Sequence, residues 1–421
     1  MTTHVAGLAI VDVFERLESE VRSYSRDWPT VFTRARGTRL WDEQGRSYLD
    51  FFAGAGALNY GHNPPALKSR LLEYLAGDGV VHGLDTMTVA KRAFLERFDE
   101  LILRPRGLEY KVQFTGPTGT NAVEASLKLA RKVTGRTQVL AFTNGFHGMT
   151  LGALAVTSNP VKRAAAGVPL RDVVRVPYGA PDVFGHLADA AGTAAQPAAV
   201  ILETVQGEGG VHPASAAWLQ EVATACERHG VLLIVDDIQV GCGRTGAFFS
   251  FEEAGLQPDI VALSKSLSGY GLPMAVVLLR PEHDVWKPGE HNGTFRGNNA
   301  AFVTATGALE EFWADGALSE SVSSSAAQLR SGLDVLVARS GGGFTEARGR
   351  GLIQGLVAGT PELAKAICFA AFERGLLVET AGVDGDVVKF LPPLTATAQE
   401  IDEALSIVTD ALASKGLVAS A

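Results

Sequence analysis

Residues 231–265 read VLLIVDDIQVGCGRTGAFFSFEEAGLQPDIVALSK. Two apolar, β-branched runs, Val231 to Val235 and Ile260 to Leu263, each lead into a titratable side chain: Asp236 in the first and, after Ser264, Lys265 in the second. Runs that are apolar at every position belong to strands buried on both faces, the habit of parallel sheets in α/β proteins. In open sheets of that kind the ligand crevice lies outside the carboxyl ends of the strands. A carboxylate and an amine delivered there converge on one site. A lysine against apolar walls is also a competent Schiff-base nucleophile, because desolvation and cationic neighbours lower its pKa. Taken singly, an Asp that caps a loop and a solvated Lys are the commoner uses of such positions, so the rest of the chain decides.

A chain of 421 residues exceeds the usual single core, which predicts two domains. With 46% hydrophobic and 20% charged residues and 47 glycines, it reads as a globular α/β enzyme with many tight turns. The net charge of −9 and the lack of a basic cluster argue against nucleic acid and against an anionic membrane surface. Cys226, Cys242 and Cys368 show neither metal-ligand spacing nor an even disulfide framework, which suits a reducing cytoplasm. Cys242, in the glycine-rich loop, reads as a small packing residue. The first thirty residues carry no basic leader pattern, and no apolar run is long enough for a membrane span.

Phe14, Leu17 and Val21 recur at helical spacing and predict an amphipathic helix that stops before Pro29. RARGTRLWDEQGRSYLDF, residues 34–51, predicts short strands joined by a turn at Gln44-Gly45. Gly54, Ala55 and Gly56 allow close backbone approach, and His62 reads as a packing or loop histidine because no second ligand is spaced with it. KVQFTGPTGTNAVEASLKLARKVTG, residues 111–135, predicts strand, turn and helix. Its turn, Thr115 to Asn121, presents free backbone amides at a helix amino terminus, where the dipole favours an anion such as phosphate. The turn matches no nucleotide motif, and an ordinary strand-to-helix connection is an equal reading. Phe146 and His147 sit in a glycine-flanked loop, where Phe146 offers a flat surface to an aromatic cofactor or a ring to the core. After the apolar run ending at Leu202 come Glu203 and, in the next turn, Glu208, suited to acid/base work or to pairing with arginines such as Arg244. Asn292, Thr294, Arg296, Asn298 and Asn299 make a polar loop that suggests ligand or subunit contact.

Six motifs in order, GPTGTNAVEASLKLAR, NGFHGMT, ETVQGEGG, DDIQVGCGRTG, SKS and GTFRGNN, carry a resemblance that covers nearly the whole chain. It resembles the class III (ornithine and ω-amino acid) aminotransferases, which use pyridoxal 5′-phosphate on fold type I. The resemblance implies an α/β architecture: a large cofactor domain, 56–308, around a mostly parallel seven-stranded sheet, and a smaller α+β domain from both termini, 1–55 and 309–421. It implies Lys265 as covalent anchor and proton shuttle, Asp236 as partner of the pyridinium nitrogen, and Gln239 at the ring's phenolic oxygen. Gly119 and Thr120 would bind the phosphate and Phe146 would stack on the ring, with His147 and Glu203 beside the cofactor. Thr294 would reach the phosphate of a neighbouring subunit, which makes a homodimer or a dimer of dimers the expected assembly. No metal is implied.

HGLD, FTNGFHGMTLGAL and WKPGEHNGTFRGNN further resemble the branch of this family that serves ectoine biosynthesis. That implies transfer of an amino group from L-glutamate to L-aspartate 4-semialdehyde, giving L-2,4-diaminobutyrate and 2-oxoglutarate. Met149 and Lys389 stand where the broader family carries arginines, and lysine cannot supply the same bidentate fork. Substrate choice is therefore expected to turn on Met149, Glu208 and Lys389. The rival expectations are another ω-amine or amino acid of a secondary-metabolite pathway, and a non-catalytic cofactor-binding protein. Retention of Asp236, Gln239 and Lys265 speaks against the latter.

Overall fold

Seven short strands carry the loops on which the candidate residues stand. In the computed structural model, which describes residues 13–417, they are β1 (Lys111–Phe114), β2 (Val139–Phe142), β3 (Val173–Val176), β4 (Ala199–Leu202), β5 (Leu232–Asp236), β6 (Ile260–Leu263) and β7 (Val276–Leu279). They form one sheet in the order β1-β7-β6-β5-β4-β2-β3. Only β7 runs against its neighbours; the two strands read from the sequence pair in parallel, Ile234 opposite Ile260.

The apolar runs follow from burial on both faces. Leu232 and Ile234, Ile260 and Ala262, Val139 and Ala141 point into one core, where they meet Val123, Leu127 and Ala130 of the helix Gly119–Thr134. Leu233 and Val235, Val261 and Leu263, Leu140 and Phe142 point into the other. The two-residue period of a strand divides each run between the two cores, so a polar residue at any of these positions would be buried. Each Val, Leu or Ile so buried contributes about 1.5–3 kcal/mol. The helix Gly119–Thr134 ends at Gly135, whose left-handed φ of 70° closes its last turn.

The two ends of the chain meet. Strands Phe32–Arg36, Arg39–Asp42 and Ser47–Asp50 form the expected antiparallel meander, and the third pairs in parallel with Leu376–Leu377. A second four-stranded sheet orders Phe344–Arg350, Ile353–Ala358, Val387–Phe390 and Glu379–Ala381, and sets Glu379 directly opposite Lys389.

The single amphipathic helix expected from Phe14, Leu17 and Val21 is not formed. Residues 13–17 are helical, residues 18–23 break the helix, and a second short helix covers Tyr24–Asp27. Leu17 and Val21 are 70% and 87% exposed: among the described residues nothing covers the apolar stripe, so no burial there holds a longer helix together. Residues 1–12, the first part of the region read for a leader sequence, lie outside the described residues. Among the described residues, no helix is long and apolar enough to cross a membrane.

Candidate active site

The carboxyl ends of the strands converge as the sequence led us to expect. Asp236 closes β5, Lys265 stands two residues beyond β6, Glu203 follows β4, the loop carrying Phe146 and His147 follows β2, and the Gly119 turn follows β1. All of these residues line one cavity, together with Glu208 and Gln239. Gly148 and Ile238 also line it, and neither was singled out from the sequence. Ile238 was findable: it lies two residues past Asp236 in a polar turn, an apolar side chain with no strand to belong to.

Lys265 occupies the left-handed region, φ 50°, which a side-chain-bearing residue adopts at a cost of order 1–3 kcal/mol when its surroundings impose it. Its Nζ donates to the carbonyl of Ala55 at 2.8 Å. That carbonyl is delivered by four successive left-handed residues, Ala53 to Gly56. Burial pushes the Lys265 amine below the usual lysine range, against the pull of the Glu208 carboxylate. Gln239 donates from Nε2 to the same carbonyl and to Oε1 of Glu208, both at 3.0 Å, while its own buried Oε1 has no donor.

Oδ2 of Asp236 lies 2.7 Å from Nδ1 of His147, and Oδ1 accepts from the amide of Ile238. Burial alone would lower the pKa of His147, but the hydrogen bond and charge of Asp236 raise it. Glu203 accepts from the amides of Phe146 and Gly207, tying two loops together, and burial pushes its carboxyl up to about 7. Burial would do the same to Glu208, but the charges of Lys389 and Lys265 hold it down to about 2. The Gly119 turn is shaped by Thr118, whose amide and hydroxyl both donate to Oδ1 of Asn121. Among the described residues the amides of Gly119 and Thr120 have no acceptor.

Three residues named from the sequence lie off this cavity. Met149 is 51% exposed, Thr294 is exposed on the polar loop, and Lys389 is fully buried behind Glu208. The Lys389 ammonium contacts Glu208 at 2.6 Å and Glu379 at 2.9 Å. Arg244 pairs with neither Glu203 nor Glu208; it is bound to Asn59 and to the carbonyls of Leu352 and Pro392. His62 joins Asp50 at 2.7 Å. Burial raises the pKa of the Cys242 thiol, as befits a packing residue, and all three cysteines are free and buried. Among the described residues, no three His, Cys, Asp or Glu side chains gather as metal ligands.

The class III aminotransferase family profile matches residues 22–412. The chain belongs to this family. A diaminobutyrate–2-oxoglutarate transaminase from Nocardia farcinica is 57% identical over 415 residues, covering 96% of this chain and 94% of the relative. One from Virgibacillus pantothenticus is 54% identical, covering 94% and 98%. An ornithine aminotransferase structure from Toxoplasma gondii, described with partial occupancy of pyridoxal phosphate, superposes with a TM-score of 0.84 at 26% identity, covering 97% of this chain and 94% of that one.

This class III aminotransferase takes pyridoxal 5′-phosphate as cofactor, and the cavity fits it. Unpaired amides at a helix amino terminus suit a dianion. A phenylalanine and an isoleucine supply an apolar wall for a ring, a carboxylate and a lysine offer the two ends, and the donorless Gln239 oxygen awaits a hydroxyl.

Proposed function

We propose that this aminotransferase moves an amino group from L-glutamate to L-aspartate 4-semialdehyde, forming L-2,4-diaminobutyrate and 2-oxoglutarate. What carries the reading is the convergence of Lys265, Asp236 and the Gly119 amides on one cavity, in a chain more than half identical to transaminases of that name. When bound, the cofactor supplies an electron sink for the carbanion left by loss of the substrate proton. Lys265 would anchor the cofactor covalently and, when free, would serve as the base that takes up and returns the substrate proton. Its desolvated amine suits that task, since a base must spend time neutral.

Asp236 would face the pyridine nitrogen and favour its protonated form. His147 holds Asp236 in place from behind, and Gln239 serves the phenolic oxygen. Gly119 and Thr120 would bind the phosphate through their amides, Phe146 and Ile238 would flank the ring, and Glu203 fixes the Phe146 loop. Glu208 faces the substrate and Lys389 acts through it. We place the enzyme in the cytoplasm, in ectoine biosynthesis, with no nucleic-acid or membrane partner.

The working unit is a homodimer, or a dimer of dimers, in which Thr294 reaches the neighbouring subunit's phosphate. Support comes from the loop 80–89, which packs on the Thr294 loop through His82 against Phe295 and an Asp85–Arg296 ion pair. It leaves Met87, Val89 and Phe295 at 99%, 73% and 65% exposure, a surface that a second copy would cover. The test is to assay purified enzyme with glutamate and a panel of aldehydes, with mass measured in solution. Turnover of another acceptor but not of aspartate 4-semialdehyde would sink the substrate assignment, and an active monomer would sink the role of Thr294.

A further inference from the structure

A second cavity opens beside the first and shares Phe146 and Glu208 with it; Asn144, Asn159 and Lys162 form much of its wall. Two charged groups in it are incompletely used. Oε1 of Glu208 is held by Gln239 at 3.0 Å and by Lys389 at 2.6 Å, whereas Oε2 has no donor among the described residues. A fifth of the Glu208 side chain, 21%, is exposed, and its carbonyl accepts from Gly382 at 3.0 Å, fixing the far wall. Lys162 is half-buried, with its ammonium 4.6 Å from the Phe146 ring centroid, and it forms no ion pair among the described residues. Lys389 offers nothing to a ligand, because its ammonium is fully buried between two carboxylates.

Building on the function proposed above, we propose that this vestibule recognises the amino-acid end of the diamine, with Glu208 Oε2 binding the α-ammonium and Lys162 the α-carboxylate. 2,4-Diaminobutyrate reacts at its 4-amine, so its α-ammonium and α-carboxylate stay side by side at the distal end. One unshared carboxylate oxygen and one unshared ammonium match that zwitterion, each through a charge-assisted hydrogen bond. A substrate lacking either group leaves a partly desolvated charge of the protein unpaired, and discrimination by missing hydrogen bonds is strong. Lys162 lies thirteen residues beyond Met149, so carboxylate binding has moved along the chain from the position where the broader family carries an arginine.

Two truncated substrates separate the roles: 4-aminobutyrate lacks the α-ammonium and 1,3-diaminopropane lacks the carboxylate. Each is measured with the holoenzyme and 2-oxoglutarate as a substrate or, where turnover is undetectable, as a competitive inhibitor against diaminobutyrate. In Glu208→Gln the preference for diaminobutyrate over 4-aminobutyrate falls tenfold or more. In Lys162→Met the preference for diaminobutyrate over 1,3-diaminopropane falls likewise, and Lys162→Arg restores it. Glu208→Asp keeps the charge that Lys389 requires and serves if Glu208→Gln fails to fold; shortening the acceptor lowers the same ratio. Ratios that stay put while overall activity drops assign these residues a structural role and overturn the inference. Wild-type enzyme that turns over no diaminobutyrate overturns the substrate reading itself.

Discussion

Nδ1 of His147 stands 2.7 Å from Oδ2 of Asp236 at the end of the sheet's central strand, and both side chains are buried. Neither group is solvated, so each depends on the other. His147→Ala leaves a buried carboxylate oxygen without its donor and lowers stability by about 1–3 kcal/mol. It also lowers kcat roughly tenfold, about 1.4 kcal/mol of lost transition-state stabilisation, as Asp236 loses its orientation. The pKa of His147 is raised above its unfolded value of 6.5. The stability the pair provides is therefore complete below that pH and is lost as pH rises through the folded value. Thermal melts of both proteins from about pH 6 to 9 check this; a gap that widens with pH contradicts it.

On the proposed function, Lys265→Ala removes the covalent anchor and the proton carrier together. Activity falls by at least 10²–10⁴-fold, the usual worth of a positioned acid-base group, and the visible absorbance of the covalently held cofactor disappears. Stability moves the other way. A buried amine held below its normal range penalises the folded state at neutral pH, so the cofactor-free variant melts no lower than the cofactor-free wild type. Denaturant melts of the two proteins decide the point.

Gly207 is fixed by its neighbours. A Cβ there would lie 1.8 Å from Oε1 of Gln239. Gly207→Ala therefore displaces the amide that bridges the Ala55 carbonyl and Glu208. The expected result is a shifted cofactor spectrum and a loss of roughly tenfold in kcat, about 1.4 kcal/mol, with the fold retained by circular dichroism. A normal spectrum would mean that Gln239 does not serve the ring oxygen.

Glu379 faces Lys389 across the small sheet, and burial pushes its carboxyl up to about 7 against the pull of that ammonium. The folded state therefore holds this proton more tightly than the unfolded state, whose value is 4.5. Wild-type stability falls as pH rises between the two values. Glu379→Gln has no proton to lose, so it gains on the wild type across that window by on the order of 1–3 kcal/mol. Melting-temperature differences at about pH 5 and pH 8 measure the gain; an unchanged difference would show that Glu379 ionises freely.

Much of the site was legible because its signals are local. The runs Val231 to Val235 and Ile260 to Leu263 are apolar at every position, and that alone implies strands buried on both faces with Asp236 and Lys265 at their ends. The Thr115 to Asn121 turn offered free amides as one of two equal readings, and the glycines of the first loop allowed a close backbone approach. The helix read from Phe14, Leu17 and Val21 failed for the converse reason: a helical period is only half of a helix, and the surface that would bury the stripe is not part of this chain's described fold.

The sequence by itself determined the two buried strands, their parallel direction and the polar residues at their carboxyl ends, since period and residue type act over a few positions; the seven-stranded sheet followed only from the family resemblance. Tertiary structure alone decided which of those residues touch. The Ala55 carbonyl meets Lys265 across 210 residues, and Glu208 meets Lys389 across 181. Lys389 read in sequence as an altered clamp for a substrate carboxylate; register with Glu379 makes it a buried cation already shared between two acids. Such contacts depend on strand register and on the left-handed turn at residues 53–56, where a one-residue slip would turn each side chain to the opposite face.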